Sequence, residues 1–145
     1  MKAVMCKAWG MPDSLVIEEL PDLVAGPGQV VVDVKAAGVN FPDVLTVQGK
    51  YQFKPELPFT PGNELSGVVR SIGPDVSGFK VGDKVIAFMP IGAFAQQALV
   101  PVKVLMPMPP GMDFDTAAAI TLTYGTSHHA AEDIGTMRSI GRSHE

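Results

Sequence analysis

Glycine or proline punctuates this chain throughout: 15 glycines and 13 prolines are spread along 145 residues rather than gathered in one tract. That distribution favours many short strands joined by tight turns over a disordered linker. Hydrophobic residues make up 46% of the chain, enough for one core, and the length suits one domain rather than two full ones. The run Gln29 to Ala37, with Val30, Val31, Val32 and Val34, is β-branched and continuous, the pattern of a buried strand. Further strands are expected over Lys2 to Trp9, Leu15 to Leu20, Glu64 to Ile72, Lys84 to Phe88 and Gly92 to Val100. One short helix is expected over Phe41 to Gln48, with Asn40 as its cap, Pro42 in its first turn and Gly49 ending it. Residues 50–62 should form an ordered loop. From Asp113 the pattern turns helical, with Asp115 placed to cap the stretch that starts at Thr116, and Thr126 to Asp133 again favouring helix.

Charge and cysteine usage narrow the function classes. The formal net charge is −4 and no Lys/Arg cluster interrupts it, which argues against a nucleic-acid or anionic-membrane partner. The single cysteine, Cys6, excludes an internal disulfide and any multi-cysteine zinc site, and inside an apparent strand it reads as a small core residue. The apolar run at the N-terminus is too short for a signal-peptide core, and no stretch approaches a membrane span, so a cytoplasmic location is expected.

Four motifs then follow in order: AAGVNFPD (36–43), PFTPGNELSGVV (58–69), KVGDKVIAF (80–88) and DFDTAAAITLTYGTSHHA (113–130). Together they resemble the medium-chain dehydrogenase/reductase superfamily, and within it the zinc-independent NADPH:quinone oxidoreductases and related enoyl reductases. The resemblance covers residues 1 to about 137. It implies a mainly β fold, the GroES-like partly open β-barrel with short helices, and a helical C-terminal segment. The expected division is 1–112 as the β domain, 113–137 as a helical interdomain segment and 138–145 as a tail that does not match.

The same resemblance bears on metal. Zinc-dependent members carry a Cys where Asn40 stands, a His where Asn63 stands, and a third ligand close to Ala118 or Ala119. Neutral amides are poor zinc ligands and methyl groups are none, so no metal is expected here. His128 and His129 are adjacent on an expected helix and so face different directions, with no third ligand at a useful spacing. Asp43 and Glu64 would hold loop backbone or orient Asn40 and Tyr51.

Chemistry without a metal is available to a conjugated carbonyl or a quinone, which is already activated toward hydride. The resemblance makes Asn40 and Tyr51 the candidates for stabilising the developing oxygen anion, the first through its amide donor and the second through its phenol. It makes Asn40 and Thr126 the candidates for contacting NADPH, Thr126 at the nicotinamide carboxamide. Each residue also has a plain structural role: Asn40 as a helix cap, Tyr51 as a loop aromatic, Glu64 as a buried support, Thr126 as helix-end packing.

After a segment such as 122–137 the family continues into the Rossmann unit that holds the pyrophosphate. RSIGRSHE (138–145) has neither strand character nor a G-x-G-x-x-G spacing, so these 145 residues are expected to lack the Rossmann domain and to turn over little or nothing on their own. Ile120, Leu122, Tyr124 and Ile134 would then be left exposed, and the oligomeric state is open. The expected partner is a small quinone or enone. The alternative is a non-enzymatic GroES-like interaction module, disfavoured because such a module has no use for a polar cleft.

Overall fold

A computed structural model of the chain describes residues 1–119. Its elements run β1 (Lys2–Met5), β2 (Val16–Glu19), β3 (Gln29–Gly38), α1 (Phe41–Val47), β4 (Glu64–Ile72), β5 (Lys84–Phe88), β6 (Gln97–Pro101) and β7 (Leu105–Pro107). Short 3₁₀ turns lie at Pro12–Ser14 and Val102–Val104. Strands β6-β3-β4-β5-β7 form one antiparallel sheet in that order, and β1 and β2 form a separate two-stranded ribbon.

Backbone bonds lace the ribbon to the rest of the molecule. Val4 N–H donates to the Phe94 carbonyl at 2.9 Å, Gln96 N–H to the Lys2 carbonyl at 2.9 Å, and Cys6 and Phe59 exchange bonds of 2.8 and 3.1 Å. The result is a mainly β, partly open GroES-like architecture, as the motif order implied.

The valine run behaves as expected of a strand covered on both faces. Val30, Val31 and Val32 are all fully buried, so alternation is lost where β3 crosses the middle of the sheet. Val30 and Val32 join Leu65, Val69, Val85, Ala87, Val100 and Leu105 in the main core. A smaller cluster of Cys6, Val47 and Phe59 seats α1 against the β1 end, and Trp9 packs on Phe59 with ring centroids 5.9 Å apart. Cys6 is therefore a core residue, with its thiol pKa raised by burial. Val85, wholly buried in the main core, sets a test of this packing. Val85→Ala should cost about 2 kcal/mol, read as a lower urea midpoint at unchanged slope.

Strands β4 and β5 match the sequence expectation end to end, and β3 runs one residue further. Other expectations are corrected. The first strand stops at Met5 because Cys6 leaves β1's pairing with β2 to bridge Phe59. The expected Gly92–Val100 strand begins only at Gln97, because Gly92, Ala93 and Phe94 donate instead to the carbonyls of Thr60, Gly62 and Pro61. Residues 114–119 are helical, but the cap is Asp113, not Asp115: its carboxylate accepts the Thr116 N–H at 2.7 Å. Bonds from Thr116 hold the Asp113 carboxyl below its ordinary pKa.

Candidate functional site

Strands β3 and β4 meet at one end of the large sheet, where Gly38 pairs with Glu64. The chain leaves β3 at Val39, turns, and enters α1 at Phe41, so Asn40 stands directly beside the start of β4. Asn40 and Asp43 form a capping box, in which the Asp43 carboxylate accepts the Asn40 N–H at 2.8 Å. The incoming side of the site is equally fixed. Segment 60–63 is clamped by four backbone donors, Gly92 to Thr60, Phe94 to Pro61, Ala93 to Gly62 and Met89 to Asn63, the last at 2.7 Å. The loop expected over 50–62 is thus ordered at its end by bonds to segment 89–94.

These elements bring four side chains together. Asn40 Nδ2 donates to Glu64 Oε1 at 2.8 Å and to Asn63 Oδ1 at 3.1 Å. Glu64 is 1% exposed, Asp43 6% and Asn63 7%, whereas Asn40 is half-buried. The space for Glu64 comes from its strand partner. A Cβ on Gly38 would collide with Glu64 Oε1 and lie 2.8 Å from Cδ, so only glycine leaves room for this carboxylate. A buried carboxylate needs donors, and Asn40 supplies one.

Burial raises the pKa of Asp43, and the negative charge of Glu64 adds to the effect; together they outweigh the Asn40 N–H, which favours the anion. A carboxyl raised on folding binds its proton more tightly in the native state. Its contribution to stability is therefore full below the ordinary range, about 3.9, and is lost as pH rises through the raised native pKa. The stability of the wild type relative to Asp43→Asn should fall across that window. Urea unfolding of both proteins at a series of pH values measures it, and a wild type that gains stability over Asp43→Asn as pH rises would contradict the assignment.

The sequence-derived candidates meet different fates. Asn40, Asp43 and Glu64 converge: Asp43 accepts the Asn40 backbone N–H, and Glu64 accepts from its side-chain amide. Tyr51 lies exposed in the loop after α1, and its hydroxyl bonds to none of the described residues. The expectation that Asp43 or Glu64 orients Tyr51 is not met. The Asn40 amide nitrogen, expected as a donor to substrate, donates within the cluster to Glu64 and Asn63. In the sequence Asn63 is notable only as the place of an absent histidine, and no local pattern signals its bond to Asn40. Thr126, His128, His129 and the 120–145 portion of the expected helical segment and tail lie outside the described residues.

Ala118 is buried in the helix at 114–119, which docks on β4 through a 2.5 Å bond from Ser66 Oγ to the Phe114 carbonyl. The Lys84 ammonium lies 5.8 Å from the Phe114 ring centroid. The donor set at the site does not suit zinc. The amides of Asn40 and Asn63 bond one another, and among the described residues no three His, Cys, Asp or Glu side chains are grouped to hold a metal.

A β unit of this topology is of the GroES-like type found in medium-chain dehydrogenases and reductases. Residues 26–110 match the alcohol dehydrogenase GroES-like domain, and the chain belongs to that family. It is 42% identical over 126 residues to mouse quinone oxidoreductase-like protein 2, a match covering 87% of this chain and 35% of the relative. A probable oxidoreductase from Mycobacterium abscessus superposes with a TM-score of 0.84 at 46% identity, covering 90% of this chain and 41% of that one. The quinone oxidoreductase of Thermus thermophilus, solved alone and with NADPH, superposes with a TM-score of 0.79 at 34% identity, covering 92% and 41%. The chain therefore spans little more than a third of the length of its curated quinone oxidoreductase-like relative.

Proposed function

We propose that this chain is the substrate-side portion of a zinc-independent, NADPH-dependent reductase of quinones or conjugated enones. The observation that carries the proposal is the buried Glu64–Asn40–Asn63 cluster at the β3–β4 end, in a chain with this degree of identity to a quinone oxidoreductase-like protein. NADPH is favoured because the similar Thermus enzyme was solved with it. When bound, it supplies a hydride. An enone gains that hydride at its β-carbon, the electron pair of the C=C bond moves toward the carbonyl oxygen, and a proton from solvent completes the saturated ketone. A quinone gains a hydride and a proton to become the hydroquinone.

The chain's own residues supply position and polarity. Asp43 and Glu64 hold Asn40 rigidly from two sides, which is the support a preorganised polar site needs. Val39 and Phe41 flank Asn40 and are 76% and 72% exposed, an apolar surface suited to a flat unsaturated ring. Thr126 is proposed as a nicotinamide contact and Tyr51 as a phenol donor from its exposed loop. A cytoplasmic location fits this role.

Cofactor binding is assigned to the part of the relatives that these residues do not match. An NADPH titration of the 145-residue chain, followed by cofactor fluorescence with 1,4-benzoquinone as acceptor, tests that division. No binding and no turnover are expected. Tight binding with turnover by these residues alone would overturn it.

A further inference from the structure

The amide pair Asn40–Asn63 has a direction, and the direction decides which residue can meet a ligand. Asn40 Nδ2 donates to Glu64 Oε1 at 2.8 Å, so Asn40 turns its NH₂ group toward Glu64. The second hydrogen of that NH₂ points to Asn63, which must answer with its carbonyl oxygen, 3.1 Å away. That in turn aims the Asn63 NH₂ group away from Asn40. Asn63 Nδ2 donates to no described residue, yet no fully buried side-chain nitrogen or oxygen among them lacks a partner. Asn63, itself 7% exposed, thus keeps an NH₂ group that no described residue engages. The backbone clamp from Met89, Ala93 and Phe94 on segment 61–63 holds the residue in place.

We propose that Asn63, not Asn40, is the hydrogen-bond donor of this site, and that it selects an uncharged carbonyl oxygen over a carboxylate. The inference rests on the reductase reading above and deepens it. Asn40 becomes a positioning residue, relaying the orientation imposed by Glu64. A neutral oxygen accepts from the Asn63 NH₂ at no charge cost, whereas a ligand carboxylate would meet Glu64 and Asp43 standing behind the amides.

Side-chain amide NMR of the full 145-residue chain tests this directly, because each Asn NH₂ pair gives its own signals. The probes are cyclohex-2-enone, which is neutral, and cyclohex-1-ene-1-carboxylate, an anion of similar shape. The enone should shift the Asn63 NH₂ signals saturably and leave those of Asn40 in place, and the carboxylate should do neither. Asn63→Asp keeps an acceptor for Asn40 and removes the donor, and should weaken the enone by about fivefold to tenfold. Shifts at Asn40 instead, or equal response to the carboxylate, would overturn the proposal while leaving the reductase reading intact. A folded chain whose Asn63 signals ignore the enone would also overturn it. The reductase reading stands or falls separately, on turnover.

Discussion

Glu64→Ala is expected to lower stability by about 3 kcal/mol, through a lost charge-assisted bond to Asn40 and the cavity left by a wholly buried side chain. The loss reaches beyond stability. Asn40 would keep only Asn63 as an amide partner, and the direction of the pair would no longer be imposed. Glu64→Gln is the informative control. It keeps a carbonyl acceptor for Asn40 but removes the charge, so it should recover most of the stability lost in the alanine variant. Urea unfolding gives the two values. If alanine and glutamine cost the same, the bond to Asn40 is not what Glu64 contributes. If neither costs anything, the buried cluster is not part of the folded core.

Gly67→Val should be nearly as damaging, for a reason of backbone spacing rather than charge. Gly67 pairs with Val34 in the middle of β3–β4, next to the register shift between Val34 and Ala36. A Cβ there would run into the Asp33 carbonyl oxygen, and would lie 2.7 Å from Val32 Cγ1 and 3.0 Å from the Asp33 carbonyl carbon. A side chain can rotate away from a clash, but the paired strand cannot move without opening the ladder. We expect about 3 kcal/mol of destabilisation, a fall in Tm of roughly 10 °C. Thermal unfolding by circular dichroism would measure it, and a variant as stable as the wild type would mean that β3 and β4 are spaced more loosely than described.

Much of this fold could be read from local sequence because the strongest signals are backbone-driven. The β-branched run at 29–37 and the glycine-bounded strands at 64–72 and 84–88 announce themselves, and their ends agree with the structure to within a residue. The misses have tertiary causes. Strand β7 is a three-residue edge with a proline in it, visible only because β5 pairs with it. The strand expected from Gly92 begins five residues late because segment 92–94 bonds the 60–62 loop, a long-range choice no local pattern reports. Asp113 and Asp115 are equally good caps by composition, and only the register of the docked helix separates them.

The site shows the same division. Asn40, Asp43 and Glu64 were legible because their motif places them, but the direction of the amide pair was not. It follows from a carboxylate buried under Gly38, which becomes visible only when β3 and β4 are in register. Asn63 is illegible for a related reason: as a missing zinc ligand it has no evident work, whereas beside Asn40 it completes a hydrogen-bond chain.

The most direct test joins residues 1–119 of this chain, in place of the matching segment, to the remainder of mouse quinone oxidoreductase-like protein 2, to which it is 42% identical. NADPH oxidation is then followed with 1,4-benzoquinone as acceptor, with and without a strong zinc chelator, beside the unaltered mouse protein. The account predicts turnover that the chelator leaves unchanged. A folded chimera that binds NADPH but reduces no quinone while the mouse protein does, or one that the chelator silences, would contradict it.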